Sequence, residues 1–175
     1  RLLLVDDHPL MRDALANLFR AEPGFEVAGE ASDGAEAVAT CLELRPDVVL
    51  MDIRMPGMDG IEATGEIVQR CPETKVLALT TFSTLEYVVP ALRAGASGYL
   101  VKDARHDEIV SAVSLIREDE LALSPSVASS LANNVLGDVP VPSVRRGHLR
   151  AAAATLYGSA RALRAAMSSG ERPAA

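Results

Sequence analysis

The chain has 175 residues, enough to bury one substantial core and carry an appendage but short for two full domains. Hydrophobic residues make up 49% and charged residues 23%, a globular, soluble balance, and the longest apolar runs, Leu2–Val5 and Val48–Met51, are far too short to span a bilayer. The net charge of −7 is uneven: residues 1–120 carry 11 basic and 22 acidic side chains, whereas residues 139–175 carry six Arg and one Glu. Two differently tasked segments are implied. Arg1 leads through four apolar residues straight into Asp6-Asp7, which is not the pattern of a secretory leader. Cys41 and Cys71 fall within predicted helices without disulfide or zinc spacing, so two reduced packing thiols and a cytoplasmic location are expected.

Leu2-Leu3-Leu4-Val5 reads as a strand covered on both faces. Pro9 opens a first helix where its missing N–H costs nothing, with Leu10, Met11, Ala14, Leu15, Leu18 and Phe19 along one stripe. Pro23-Gly24 ends it, and Phe25–Ala31 alternates as a second strand. Asp33-Gly34 turns the chain into a helix over roughly residues 35–44, stopped by Pro46. Val48–Met51 is the third strand, and the turn-rich Pro56–Gly60 leads into a third helix ended by Pro72. Lys75–Thr80 is strand four, residues 85–94 a fourth helix and Gly98–Val101 strand five. A fifth helix carries Ile109, Ala112, Val113 and Ile116 at helical spacing. Five βα units in strict alternation predict an α/β fold, a flavodoxin-like doubly wound parallel sheet in the order 2-1-3-4-5.

Ligands of such sheets sit beyond the carboxyl ends of the strands. Those ends carry Asp6-Asp7, Asp52, Thr80-Thr81 and Lys102. Three close carboxylates repel, and a divalent cation relieves that repulsion; an all-oxygen site that keeps several waters suits magnesium, with manganese able to substitute. Asp7 and Asp52 are the expected direct ligands, Asp6 acts through water, and the main-chain carbonyl of Arg54 is a further oxygen. Asp52 keeps a free oxygen that can attack phosphorus. Lys102 supplies a point charge and Thr80 a hydroxyl for the phosphoryl oxygens. Only Lys75 and Lys102 of the 17 basic residues are Lys, which favours a compact ammonium at the end of strand five. Asp59-Gly60 reads as helix-cap chemistry, and His8 as an exposed neighbour without a role.

With these motifs in hand, residues 1–120 resemble the receiver domain of bacterial two-component response regulators. The resemblance rests on Asp6-Asp7, on Asp52-Ile53-Arg54-Met55-Pro56-Gly57-Met58-Asp59-Gly60, on Thr80, and on Gly98-Tyr99-Leu100-Val101-Lys102. Asp6-Asp7-His8, Leu79-Thr80-Thr81-Phe82 and Lys102-Asp103 resemble the LuxR/NarL-type subgroup. The resemblance implies Asp52 as phosphoacceptor, a sensor histidine kinase as donor, magnesium as cofactor, and Thr80 and Tyr99 as the switch pair. It also implies transcription regulation as output and a homodimer on activation. The expected molecule is a phosphoaccepting signalling protein rather than an enzyme. The alternative is a degenerate receiver that works as an interaction module without phosphorylation. A small-molecule phosphohydrolase fits less well because Arg54 stands where a general acid would be, and a flavodoxin-like cofactor binder lacks a Gly-rich loop after strand one.

Residues 121–137 read as a linker with a short helix over 127–135, and residues 138–175 as a basic Ala/Arg-rich tail, helical or disordered. That tail is too short for a recognition helix and its supporting core, so DNA binding, possible for the family, is not supported by it. A truncated or degenerate output region accounts for its composition.

Overall fold

The computed structural model describes residues 1–136, and expectations about the tail lie outside them. The elements alternate as β1 (Leu2–Val5), α1 (Pro9–Ala21), β2 (Val27–Ala31), α2 (Gly34–Leu44), β3 (Val48–Met51), α3 (Gly60–Arg70), β4 (Lys75–Thr80), α4 (Leu85–Arg93), β5 (Gly98–Val101) and α5 (His106–Arg117). A two-residue strand, β6 (Ala122–Leu123), and a helix, α6 (Pro125–Leu136), follow. All strand pairs are parallel, in the order β2-β1-β3-β4-β5-β6. The expected 2-1-3-4-5 order is therefore present, extended by a sixth strand. Two residues are too few for a periodic signal, so β6 is decided by its neighbour. Gly98 lies opposite Ala122, and a Cβ on Gly98 would stand 2.8 Å from the Ala122 carbonyl.

Local chemistry explains the helix starts. Asp33 accepts the Glu36 amide, and Asp59 accepts the amides of Ile61 and Glu62, each closing an open helix N-terminus. Asp59 is thus a cap, as expected. Arg45 ends α2 in the left-handed region at φ 46°. α3 stops at Arg70, so Cys71 is the residue that follows the helix rather than part of it.

Both faces of the sheet are covered, which is why β1 and β3 are apolar at every position. Leu2, Leu4, Val48 and Leu50 pack against Phe19 of α1 and Val113 and Ile116 of α5. Leu3, Val49 and Met51 pack on the other side against Ala37 and Cys41 of α2 and Ile67 of α3. Each such large side chain, once buried, contributes roughly 1.5–3 kcal/mol. A third cluster joins Val88 and Ala91 of α4 to Tyr99 and to Val127 of α6. Leu10 departs from its expected place on the buried stripe and is 83% exposed; Ala14 is exposed too. The first turn of α1 rises past the sheet's carboxyl edge, where Leu10 borders an open crevice instead of the core. No described helix is long and apolar enough to cross a membrane.

Candidate functional site

Two backbone bonds assemble the crevice. The Asp52 amide donates to the Val5 carbonyl at 2.9 Å, which sets the end of β3 beside the end of β1. The Lys102 amide donates to the Thr80 carbonyl at 2.7 Å, which does the same for β5 and β4. Asp6, Asp7 and Asp52 therefore converge, and together with His8 they place one potential ligand atom each within 4.8 Å of one another. The crevice encloses about 730 Å³ and is bordered by Asp7, Asp52 and Lys102 on its polar side and by Leu10, Met11, Met55 and Phe82 on its apolar side.

Lys102 is the centre of the electrostatics. Its Nζ lies 2.6 Å from Asp6 Oδ2 and 2.7 Å from Asp52 Oδ2, with only 9% of its side chain exposed. Burial alone would lower its pKa, but the bonds to Asp52 and Asp6 outweigh that penalty and hold it above the ordinary value. The other oxygens of the two buried carboxylates are also engaged: Asp6 Oδ1 accepts the His8 amide at 3.0 Å, and Asp52 Oδ1 accepts the Ile53 amide at 2.7 Å. Asp7 is more open and takes His8 Nδ1 at 2.8 Å. Three carboxylates against one ammonium leave a formal −2, the charge that a divalent cation would neutralise, and hard carboxylate oxygens are the donors magnesium favours. The donor set thus fits that ion.

The loop after β3 is drawn tightly under the site. The Gly60 amide donates to the Ile53 carbonyl at 2.9 Å, and a Cβ on Gly60 would stand 1.9 Å from the Asp52 carbonyl oxygen. No other residue fits there. Gly57, at φ 77°, supplies the left-handed turn within the same loop.

Of the remaining expected residues, Thr80 and Tyr99 lie behind the crevice wall. Both are fully buried, and it is Thr81 and Phe82 that border the opening. The Phe82 backbone links the pair: its amide donates to Thr80 Oγ1 at 3.5 Å, and its carbonyl accepts the Tyr99 hydroxyl at 2.8 Å. Burial, then the charge of Asp52, raises the Tyr99 pKa and keeps that hydroxyl a donor. Sequence reasoning passed over the cluster around Arg54. Its guanidinium lies 5.6 Å from the Phe82 ring centroid and 5.9 Å from that of Tyr87, and it donates to the Tyr87 hydroxyl at 2.9 Å. The only signal in the sequence was an Arg two positions after Asp52 in a chain poor in aromatics, and nothing local pairs residues 33 positions apart. His8, expected as an exposed neighbour, is exposed, and it also joins the carboxylate cluster.

Comparison with known proteins places the chain among relatives. The "Response regulator receiver domain" family matches residues 2–114. The transcriptional regulatory protein LiaR of Bacillus subtilis is 44% identical over 131 residues, which is 75% of this chain and 62% of LiaR. The response regulator GacA of Pseudomonas viridiflava is 39% identical over 132 residues, covering 75% of this chain and 62% of GacA. The match thus spans less than two thirds of the length of these curated relatives. Among solved structures, a LuxR-family two-component response regulator from Aurantimonas sp. SI85-9A1 superposes with a TM-score of 0.74 at 38% identity, covering 78% of this chain and 97% of that one. The receiver domain of the putative response regulator NarL from Mycobacterium tuberculosis superposes with a TM-score of 0.65 at 37% identity, covering 67% and 95%. With the fold, the acidic crevice and these likenesses in agreement, the chain belongs to the response regulator receiver domain family of two-component systems.

Proposed function

We propose that this protein is a phosphorylation-controlled switch in which Asp52 accepts a phosphoryl group from a phosphohistidine of a sensor histidine kinase. The observation that carries this reading is the Lys102 ammonium held between Asp6 and Asp52 at the mouth of an open acidic crevice. One oxygen of Asp52 forms a bond to phosphorus as the phosphorus–nitrogen bond of the donor breaks, and the electron pair returns to the donor imidazole. Lys102 then turns from the carboxylate to an equatorial phosphoryl oxygen. Asp7 and Asp52 would hold magnesium directly, with Asp6 acting through water and the Arg54 carbonyl as a further oxygen ligand. When bound, the ion neutralises charge on the transferring group.

Thr80 and Tyr99 transmit the change. The Phe82 amide reaches Thr80 at 3.5 Å, the outer limit of a hydrogen bond, so turning the Thr80 hydroxyl toward a phosphoryl oxygen costs little. The Tyr99 hydroxyl follows the Phe82 carbonyl, and the Arg54 stack on Phe82 and Tyr87 carries the shift into α4. Residues 1–120 form the receiver, residues 121–137 a linker helix, and residues 138–175 a basic Ala/Arg-rich tail. The output is transcription regulation, for which the transcriptional regulatory protein LiaR supplies the analogy, with homodimerisation on activation in the cytoplasm.

Intact mass after incubation with acetyl phosphate tests the reading. One phosphate is expected on the wild type with magnesium present, and none without the ion or in Asp52→Asn. No adduct under any condition overturns it in favour of a phosphorylation-independent interaction module.

A further inference from the structure

Tyr99 is held at both ends. Its hydroxyl donates to the Phe82 carbonyl at 2.8 Å, and its main-chain carbonyl accepts the Ser124 amide at 3.1 Å. Ser124 stands immediately before α6; it is buried, and its own carbonyl accepts the Ala128 amide at 2.9 Å in the first turn of that helix. On the near side of Ser124, β6 lines the edge of β5, with Ala122 opposite Gly98 and Leu123 opposite Tyr99. On its far side α6 lies against α4. Val127 is 0% exposed, in the same cluster as Tyr99, Val88, Ala91 and Ile53, the residue after Asp52. Leu131, one helical turn further on, packs against that cluster from outside.

The fastening of this segment is unequal to that of its neighbours. β5 is bonded to β4 along its whole length, whereas β6 is only two residues long. Residues 121–136 contain no charged side chain, so no salt bridge ties them down. A close-packed cluster cannot take up the movement of one aromatic ring without displacing a neighbour, and the neighbour with the fewest buried contacts yields first. We infer that residues 122–136 form a strap that rests on Tyr99 and is released from the α4–β5 face when Asp52 is phosphorylated.

The inference rests on the reading of Asp52 as phosphoacceptor and adds what that change is coupled to. A phosphoryl oxygen that draws the Thr80 hydroxyl away from the Phe82 amide frees the Phe82 backbone, and the Tyr99 hydroxyl follows the Phe82 carbonyl. The ring then presses on Val127, and the Ser124 amide loses its place on the Tyr99 carbonyl. Coupling of this kind is reciprocal: whatever loosens the strap also favours the state that phosphorylated Asp52 favours.

The test uses the full chain with magnesium and beryllium trifluoride, an equilibrium mimic of the phosphoryl group, and native mass spectrometry confirms that the mimic is bound. Hydrogen exchange is then read by peptide. An isolated helix as short as α6, of 12 residues, is marginal in water, so its amides lose protection once it leaves α4. Exchange over Val127–Leu131 should quicken by about tenfold or more with the mimic bound, while β1 and α2 stay unchanged. Val127→Ala, which lies outside the crevice, should quicken the same amides without the mimic and bind the mimic about threefold or more tighter. If that variant fails to fold, as followed by circular dichroism, the wild-type exchange decides the matter. Bound mimic with unchanged or slower exchange in α6 overturns the strap and leaves the phosphoacceptor reading standing. Equal affinity for the mimic in wild type and a folded Val127→Ala overturns the coupling. No mimic bound to the wild type overturns the phosphoacceptor reading and the strap's trigger with it.

Discussion

Removal of the Lys102 charge by Lys102→Met probes the site most directly. The substitution keeps length and apolar volume but deletes an ammonium 2.6 Å from Asp6 and 2.7 Å from Asp52. At an effective dielectric constant of about 20, each contact represents roughly 6 kcal/mol of attraction before desolvation is counted. Desolvation of three buried charges offsets most of that, and the known cost of stripping one partner from a buried pair is about 3–5 kcal/mol. The variant also leaves three carboxylates facing one another, which places the cost at the upper end of that range. Urea denaturation at neutral pH without divalent ions measures it. With a slope of about 2 kcal/mol per molar, the midpoint should fall by roughly 2–2.5 M. Asp52→Asn combined with Lys102→Met should recover part of the loss, with a coupling energy of about 1.5–3 kcal/mol. A midpoint shift below about 0.3 M, with no coupling between the two sites, would refute the view that Lys102 neutralises a buried acidic pair.

Gly60→Ala should be far costlier than an ordinary helix-start substitution, because its Cβ would meet the Asp52 carbonyl oxygen at 1.9 Å. A loss of about 3 kcal/mol or more in thermal denaturation is expected, and a near-neutral result would mean that the loop yields easily. Tyr99→Phe deletes the hydroxyl that holds the Phe82 carbonyl at 2.8 Å and should cost about 1 kcal/mol. Hydrogen exchange should then quicken at Thr81–Ser83 and stay unchanged in β1, and a uniform response would contradict a local tether. Burial, and then Cys71, push the Cys41 thiol from its ordinary 9.0 up to about 11. A folded value above the unfolded one adds stability that is complete below pH 9 and is lost as pH rises towards 11, at most roughly 2–3 kcal/mol. The stability gap between the reduced wild type and Cys41→Ala should narrow over that interval; a constant gap would contradict the assignment.

How much was legible in the sequence follows from the range of each signal. The βα alternation, the caps at Asp33 and Asp59 and the four charged residues at strand ends rest on neighbours a few positions apart, so they could be read directly. The strand order follows from short right-handed crossovers between parallel strands, and so it too was accessible. Leu10 was misplaced because periodicity assigns a residue to a face of its helix and is silent on whether the sheet extends beneath that turn. β6 was missed because a two-residue strand exists only through its pairing with β5.

By itself, then, the sequence determined the fold class and the identity of the charged residues that gather at the carboxyl edge, since hydrophobic period and turn chemistry are local properties of the chain. Tertiary structure alone decided the contacts between groups that are distant in sequence: Lys102 between Asp6 and Asp52, Phe82 joining Thr80 to Tyr99, Arg54 over two aromatic rings, and Arg45 on the Cys71 sulfur. Those contacts depend on ångström-scale placement of elements 17 to 96 positions apart, set by how helices pack on the sheet, and no local pattern encodes it.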